Sequence, residues 1–369
     1  MSTKNRVFKS VFPGKYIQGE GVMGELPEIM KSFGEKKMIL SSRSVKKNIL
    51  MEHLDTFKSD GILVEEFNGE CTEKEIDRLR NLVLINKIDV LAGTGGGKVI
   101  DTAKIVADMT NIPVIIVPTI ASTDAPVSGC GVIYSEDGVF KSVYYLKMNP
   151  QVVIVDVRVI ANAPVRFLVS GMGDALSTWF EARSCERTQS MNACDGYSTQ
   201  AGLSLAKLCY DTLLTYGSMA KMACENKLIT PALHHIVEAN TLLSGIGFES
   251  SGLATAHAVH NGLSALPETH GYYHGEKVAF GVLTGLHLTD ASPAEMETVY
   301  KFCEEVGLPT TLKELGVVNL NTENLMKVAV KACEPQESIH HEAGEITPEK
   351  VLFAMMAADK MGNYRKYHG

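Results

Sequence analysis

Short apolar runs alternate with helical patterns over roughly the first 160 residues of this chain. A segment that opens with the capping-box pattern TEKE at 72–75 continues as an amphipathic helix. Continuous apolar strands separated by helices are typical of a parallel sheet with both faces covered. The sequence therefore predicts an α/β domain over residues 1–162, with strands near 37–41, 61–67, 89–92, 113–117 and 151–157 and a β-hairpin formed by 132–134 and 139–145.

The second half of the chain has a different character. From about residue 162 the apolar residues recur with helical periodicity, and runs of β-branched residues are few. We therefore predict an all-α domain over residues 163–369. A cleft between the two domains is the expected ligand site.

Composition excludes several classes of protein. The 35 Lys and Arg against 43 Asp and Glu give a net charge of −8, which provides no basic surface for nucleic acid or an acidic membrane. No apolar run reaches the roughly 18–20 residues of a spanning helix, and the polar segment 1–9 lacks a signal-peptide core. Eight scattered cysteines without a CxxC pair argue against a disulfide framework. We expect a cytoplasmic enzyme.

A glycine loop, GTGGGK at 93–98, lies between a predicted strand and a predicted helix. Backbone N–H groups at such a helix start can bind phosphate, and Lys98 adds a positive charge. The loop is not a P-loop, because Ala92 and Val99 stand where Gly and Ser or Thr are needed. Nor is it GxGxxG, since Lys98 replaces the third glycine. A purely structural turn is the alternative, but three consecutive glycines with a lysine favour phosphate.

Acidic and histidine side chains in the second half suggest a metal site. Asp174 precedes a predicted helix, where it is either a ligand or an acid that stabilises the helix N-terminus. His257 and His260 lie one turn apart, and His274 follows fourteen residues after His260. Two or three imidazoles with one carboxylate form a typical catalytic zinc set. Spacing alone leaves surface histidines as the alternative.

A polar segment, PTIASTDAPVS at 118–128, follows a predicted strand. Ligands of open α/β sheets bind at this carboxyl edge, although the same residue types also form ordinary turns. The density of hydrogen-bonding groups favours a polar ligand.

Together these segments resemble the metal-dependent polyol dehydrogenases, the glycerol-oxidising relatives of the iron-containing alcohol dehydrogenases. The resemblance spans nearly the whole chain in family order, through the motifs at 13–19, 95–104, 118–126, 132–140, 173–185, 230–263 and 274–281. It implies a dehydroquinate synthase-like fold, a dinucleotide-binding α/β domain followed by a helical metal-binding domain. It also implies a homo-oligomer, often an octamer.

The resemblance further implies reversible oxidation of glycerol and related vicinal diols to dihydroxyacetone-type ketones, with hydride transfer to a nicotinamide cofactor. Asp174, His257 and His274 would hold zinc beside the substrate, and Asp124 would contact the diol. His260 is a candidate proton relay, with a structural role as the alternative. The implied cofactor-binding residues are Ser42, Gly95, Gly96, Gly97, Lys98, Thr119, Ser122, Ser128, Cys130 and Tyr134.

Two positions depart from the family pattern. Ser42, followed by Arg43, stands where glycerol dehydrogenases carry an aspartate that holds the adenosine ribose. A hydroxyl beside a guanidinium can accept a 2′-phosphate, so the sequence predicts relaxed cofactor choice or a shift from NAD toward NADP. Cys130 replaces a usually aliphatic residue.

Other functions fit the sequence less well. A dehydroquinate synthase or a glycerol-1-phosphate dehydrogenase would need Lys or Arg for a substrate phosphate, and the segment 118–128 has none. A reductase of hydroxyacetone-type ketones that uses NADPH stays open. A binding protein without catalysis would have lost a ligand or the glycine loop, and a purely structural oligomer would need neither.

Overall fold

The computed structural model describes residues 6–319 and 321–368, so the first five residues of the polar N-terminal segment lie outside it. Within that part the chain forms a parallel sheet followed by a helical region, which confirms the predicted fold class. The strands are β1 (Tyr16–Gly19), β2 (Lys37–Ser41), β3 (Ile62–Glu66), β4 (Val90–Gly95), β5 (Val114–Pro118), β6 (Cys130–Tyr134), β7 (Phe140–Tyr145) and β8 (Val152–Asp156).

The strand order places a ligand site. Six strands form one sheet in the order β1-β8-β5-β4-β2-β3, and each neighbouring pair is parallel. The chain goes from β2 to β3 on one side and then returns to β4 on the other, so the strand order reverses between β2 and β4. Ligands of open sheets bind outside the carboxyl ends of the strands at such a reversal. The residues that follow these two strands are Ser42 and Gly96.

Both faces of the sheet are buried, as the continuous apolar strands predicted. In β2, Met38 and Leu40 belong to one buried apolar cluster and Ile39 to the other, because successive side chains point to opposite faces. The antiparallel hairpin β6–β7 stands apart from the main sheet, and the backbone N–H of Val132 donates to Asp101 on the helix after the glycine loop.

Five α-helices lie among the strands, and the named elements after residue 156 are helical in the described residues. The helices are α1 (Leu26–Lys31), α2 (Arg43–Asn48), α3 (Leu54–Ser59), α4 (Glu73–Asn86), α5 (Gly97–Thr110), α6 (Val157–Asn162), α7 (Val165–Thr188), α8 (Gln200–Glu225), α9 (Pro231–Glu238), α10 (Ser244–Ser251), α11 (Thr255–Leu263), α12 (His274–Leu288), α13 (Pro293–Val306), α14 (Thr322–Ala332) and α15 (Pro348–His368). A π-helical turn, Ala239–Leu243, joins α9 to α10.

Two details differ from the sequence-based expectations. The edge strand β1 was not predicted, since its four residues are too few to give a periodic signal. The helix that carries Asp174 begins nine residues earlier, at Val165, so the carboxylate lies inside α7 and is not an N-terminal acid. The predicted domain boundary falls at the end of α6 and stays a prediction. None of the helices in the described residues is long and apolar enough to span a membrane.

Candidate active site

A cleft of about 1180 Å³ runs along the carboxyl edge of the sheet to the start of α12. At one end it is lined by residues that follow β2 and β3, in the middle by the glycine loop, and at the other end by residues of the helical region. We call the first of these the adenosine end and the last the metal end, after the ligands that the family resemblance implies. The predicted site residues that line it are Ser42, Gly96, Gly97, Lys98, Ser122, Asp124, Ser128, Cys130, Tyr134 and His274.

The remaining predicted residues stand behind this lining. Gly95 closes β4, and its carbonyl accepts the backbone N–H of the buried Thr119 at 3.0 Å. A Cβ on Gly95 would come within 2.9 Å of the Val99 side chain, so only glycine lets α5 start so close to the strand. Asp174 and His257 are considered with the metal ligands below.

The glycine loop ends in an open helix start. Gly96 is the N-cap of α5 and provides no side-chain cap, so the first N–H groups of the helix are left for a ligand. The Lys98 ammonium forms an ion pair with Glu70 and lies 5.5 Å from the ring centre of Tyr134. This loop therefore offers the anion-binding geometry that its sequence predicted.

Asp174, His257 and His274 come together from three helices, with their potential ligand atoms all within 4.8 Å of one another. Asp174 Oδ1 lies 3.1 Å from Nε2 of His274 and 3.6 Å from Nε2 of His257. This oxygen is buried and accepts no hydrogen bond. A buried, unpaired carboxylate oxygen is costly, and the two imidazole nitrogens that face it complete the donor set that a divalent metal requires. The residues present therefore fit a metal ion.

Close helix contact puts His274 next to Asp174. A Cβ on Gly275 would lie 1.7 Å from the carbonyl oxygen of Ser170, and one on Gly173 would lie 2.3 Å from the carbonyl oxygen of Gly275. Only residues without a side chain allow the N-terminus of α12 to approach α7 this closely. The two glycines therefore determine the distance between these two ligands.

Glu181 was not a predicted site residue, yet it orients the ring of His257. Its Oε2 lies 2.7 Å from Nδ1 of His257, and its Oε1 accepts the backbone N–H groups of Ala254 and His257. A carboxylate in this position fixes the orientation of the ring, so that Nε2 faces Asp174. Asp174 and Glu181 are seven residues apart on α7, a spacing that places both on one helix face and was the available signal.

His260 contacts His274 in the same way that Glu181 contacts His257. Its Nε2 lies 3.0 Å from Nδ1 of His274, while its Nδ1 lies 3.0 Å from Oδ1 of Asn261. Burial, followed by the charge of His274, holds the pKa of His260 well below its ordinary value, so the ring is neutral. His260 is absent from the cleft lining, so the geometry places it against a ligand and not against the substrate space.

Two carboxylates meet at the metal end with opposite pKa shifts. Burial and then the charge of Asp174 raise the pKa of Asp124 well above its ordinary value. For Asp174, burial acts in the same direction, but the neighbouring His274 and His257 outweigh it and lower the pKa. Asp124 Oδ2 accepts a hydrogen bond from Ser244 at 2.9 Å, and its backbone N–H donates to Asp174 Oδ2 at 3.2 Å.

Two further residues missed by the sequence analysis hold the polar segment 118–128. Lys104 on α5 is fully buried and donates to the carbonyl oxygens of Ala125 (2.8 Å) and Ser128 (3.2 Å). Asn240, in the π-helical turn, donates to the carbonyl oxygen of Ala121 at 3.0 Å. The segment that carries Asp124 is thus anchored to both the sheet side and the helical side of the cleft.

At the adenosine end, Ser42 has a structural role as well as a place in the cleft. Its hydroxyl accepts the backbone N–H of Val45 at 3.4 Å and caps α2. Arg43 Nε donates to Glu66 Oε1 at 2.8 Å. Glu66, at the end of β3, was not a predicted site residue.

Known proteins resemble this chain in sequence and in fold. The sequence profile described as iron-containing alcohol dehydrogenase matches residues 13–157. The chain is 52% identical to a glycerol dehydrogenase of Thermotoga maritima, over 97% of this chain and 98% of that protein. This chain belongs to the iron-containing alcohol dehydrogenase family. The predicted membership, and with it an oxidoreductase activity, is confirmed.

Other known proteins extend the comparison. The chain is 44% identical to a glycolaldehyde reductase of Halobacterium salinarum, over 96% of this chain and 98% of that protein. The crystal structure of a probable glycerol dehydrogenase from Sinorhizobium meliloti superposes with a TM-score of 0.91 at 44% identity, covering 97% of this chain and 99% of that one. A sulfoacetaldehyde reductase from Bifidobacterium kashiwanohense, in complex with NAD+, shares the fold at 18% identity and a TM-score of 0.77, over 98% and 99% of the two chains.

Proposed function

We propose that this family member catalyses the reversible oxidation of glycerol and related vicinal diols to the corresponding hydroxyketone, with hydride transfer to a nicotinamide dinucleotide. The observation that carries the proposal is the unpaired, buried Oδ1 of Asp174, which faces two imidazoles at the end of the cleft that also holds Asp124. The relatives named glycerol dehydrogenase at 52% and 47% identity support glycerol as the substrate.

In this proposal Asp174, His257 and His274 hold zinc. A divalent ion bound there supplies a Lewis acid that lowers the pKa of a substrate hydroxyl. Glu181 and His260 keep the two rings in the tautomer that leaves Nε2 free for the ion, because each accepts the Nδ1–H of its partner. The predicted relay role of His260 stays a prediction, and its contact with His274 supports an orienting role.

Asp124 orients the diol in our proposal. Its carboxylate lines the cleft beside His274, and Ser244 fixes it by a hydrogen bond. The aromatic side chains of Phe167 and Tyr273, with ring centres 5.0 Å apart, line the same end and would shield a bound diol from water. The chain thus positions the carbon that loses hydride.

The cofactor would lie along the cleft. Since hydride leaves a carbon held beside Asp124, the nicotinamide belongs at the metal end. The pyrophosphate then meets the open start of α5 at Gly96 and Gly97, with Lys98 exchanging Glu70 for a phosphate oxygen. The adenosine falls beside Ser42 at the opposite end.

A second candidate is the reduction of small hydroxyaldehydes or hydroxyketones, which the relative named glycolaldehyde reductase favours. Substrates that carry a phosphate fit less well. The cations that line the described part of the cleft are Arg43, Lys47 and Lys98, and they lie at the adenosine end or at the glycine loop. We further propose a cytoplasmic homo-octamer, from the family resemblance; light scattering after gel filtration tests the subunit number.

The decisive experiment is glycerol-dependent reduction of NAD and NADP, run in parallel on chelator-treated protein before and after zinc is returned. We expect activity to be lost with the metal and restored by zinc. Iron, 1,2-propanediol and glycolaldehyde with reduced cofactor serve as parallel arms. If no metal restores glycerol oxidation while glycolaldehyde is reduced, the second candidate replaces the first.

A further inference from the structure

The adenosine end contains an ion pair that bears on cofactor choice. This argument rests on the proposed use of a nicotinamide dinucleotide, because that proposal places the adenosine ribose beside Ser42. Arg43 and Glu66 both line this end of the cleft. Their bond joins Nε of Arg43 to Oε1 of Glu66, and the second carboxylate oxygen and the terminal guanidinium nitrogens take no part in it.

Strand pairing brings Glu66 to this position. In the β2–β3 register Ser41 stands opposite Glu66, and the backbone N–H of Phe67 donates to the carbonyl oxygen of Ser41 at 2.9 Å. Both strands end here, so the carboxylate of Glu66 reaches the same sheet edge as the hydroxyl of Ser42. Glu66 therefore places a carboxylate at the edge of the sheet where position 42 lacks one.

The two partners differ in how firmly they are held. The Arg43 side chain is 86% exposed and starts a short helix, whereas that of Glu66 is 35% exposed and ends a strand of the sheet. In dinucleotide-binding folds an acidic residue near this edge binds the ribose 2′-hydroxyl, and an arginine accommodates a 2′-phosphate. Here the acidic partner, Glu66, is held more firmly than Arg43, and it already forms an ion pair with that arginine.

We propose that Glu66 is the specificity-determining residue of the adenosine end. Its carboxylate, steadied by Arg43, accepts the ribose hydroxyls of NAD and repels the 2′-phosphate of NADP. The preference would then be for NAD, opposite to the shift toward NADP that Ser42 and Arg43 alone predict. The shift toward NADP stays a prediction, and it did not take Glu66 into account.

The test uses Glu66→Gln, which keeps the size of the side chain and removes its charge. We expect the ratio of kcat/KM for NAD to that for NADP to fall at least about tenfold, because one charge-assisted contact is lost and Arg43 is freed for the phosphate. Adding Arg43→Gln to this variant should remove the gained NADP activity. An unchanged ratio in Glu66→Gln, or a wild-type protein that prefers NADP, overturns the proposal.

Glu65→Gln is the matched control. Glu65 precedes Glu66 on β3 and pairs with Arg78 at 2.6 Å, but it is not part of the cleft lining. Its substitution should change the cofactor ratio by less than about twofold, as expected for a site outside the ligand contact. A change as large as that of Glu66→Gln would assign the effect to the general charge of the strand and contradict the proposal.

Nucleotide binding separates this inference from the proposed activity. Calorimetric titration with 5′-AMP and 2′,5′-ADP needs no diol, no metal and no turnover. We expect the wild type to bind 5′-AMP more tightly and Glu66→Gln to gain affinity for 2′,5′-ADP. If glycerol is not oxidised but this exchange is seen, the glycerol assignment fails and the role of Glu66 stands. If glycerol is oxidised and both proteins bind the two nucleotides alike, only the inference fails.

Discussion

The two ends of the cleft are built differently. At the metal end, Asp174 and Glu181 are each 1% exposed, and the ligand rings are held through hydrogen bonds from α7 and α11. At the adenosine end, Arg43 and Glu66 form an ion pair between side chains that reach into solvent. Buried polar groups need every partner in place, whereas exposed ion pairs contribute little and exchange easily.

The contrast between the two ends indicates where the chain tolerates substitution. A substitution at the metal end removes a partner from a buried group, so it should remove activity. A substitution at the adenosine end exchanges one exposed contact for another, so it should change which cofactor binds and leave the reaction itself in place. The predictions below test that contrast, from the largest effect to the smallest.

The largest effect is expected for Asp174→Asn. The amide removes the negative charge from the buried cluster with little change of volume, so metal binding should be lost. We expect kcat to fall at least about a thousandfold, since metal-ion catalysis supplies several kcal/mol. Metal content by plasma mass spectrometry should fall in parallel. Near-normal activity with a full metal complement would show that another residue completes the ligand set.

Glu181→Gln should weaken metal binding without removing it. The amide oxygen can accept the Nδ1–H of His257 only if its NH2 group faces the backbone N–H groups of Ala254 and His257, so the ring is held less firmly. The imidazole is also a weaker ligand without the carboxylate, and such changes typically cost about 10–100-fold in metal affinity. Competition with a chelator measures the dissociation constant. Glu186→Gln is the control, because Glu186 lies on the same helix and is exposed. Equal effects of the two variants would contradict the proposed role of Glu181.

His260→Gln separates an orienting role from a proton relay. If His260 only orients His274, the zinc concentration that activates the variant should be at least about tenfold higher than for the wild type. Most of the kcat should nevertheless return once zinc is saturating. If His260 relays a proton, kcat should stay low at saturating zinc and its pH profile should change. The contact between Nε2 of His260 and Nδ1 of His274 supports the first outcome.

Cys130 reports on the middle of the cleft. Burial raises the pKa of its thiol to about 12, although the charge of Lys104 acts in the opposite direction. Because only the thiolate reacts, alkylation by iodoacetamide should be slow at neutral pH and should rise about tenfold per pH unit beyond the ordinary cysteine pKa of roughly 8.5. NAD should protect this residue, as determined by peptide mass spectrometry. If the alkylation rate instead stopped rising near pH 9, the thiol would be exposed to water.

Sequence patterns predicted those parts of the molecule that depend on periodicity and local chemistry. The strand over 37–41 matches β2 at both ends, and the glycine loop starts α5 as expected. The metal ligands required the family resemblance, because Asp174 and His257 are 83 positions apart in the chain (257 − 174 = 83) and spacing could not join them.

The residues that the sequence analysis missed act through tertiary contacts. Glu181, Lys104 and Asn240 look like ordinary helix residues until the fold places them against a ligand ring or a loop carbonyl. Glu66 is similar, since its meaning depends on the pairing of β2 with β3. Strand neighbours that are not adjacent in sequence are what a pattern along the chain does not contain.

The smallest effect is expected for Ser42→Asp, which restores the acidic residue at the position where the family resemblance implies one. Aspartate is as good an N-cap as serine, so the stability of α2 should be kept, whereas Ser42→Ala should cost about 1 kcal/mol of unfolding free energy. If Glu66 already supplies the negative charge, adding a second carboxylate should change the ratio of NAD to NADP efficiency by less than about threefold. A tenfold gain for NAD would instead locate cofactor selection at position 42. Kinetics with both cofactors, together with thermal unfolding of the three proteins, decides whether the second strand or the third controls the adenosine end.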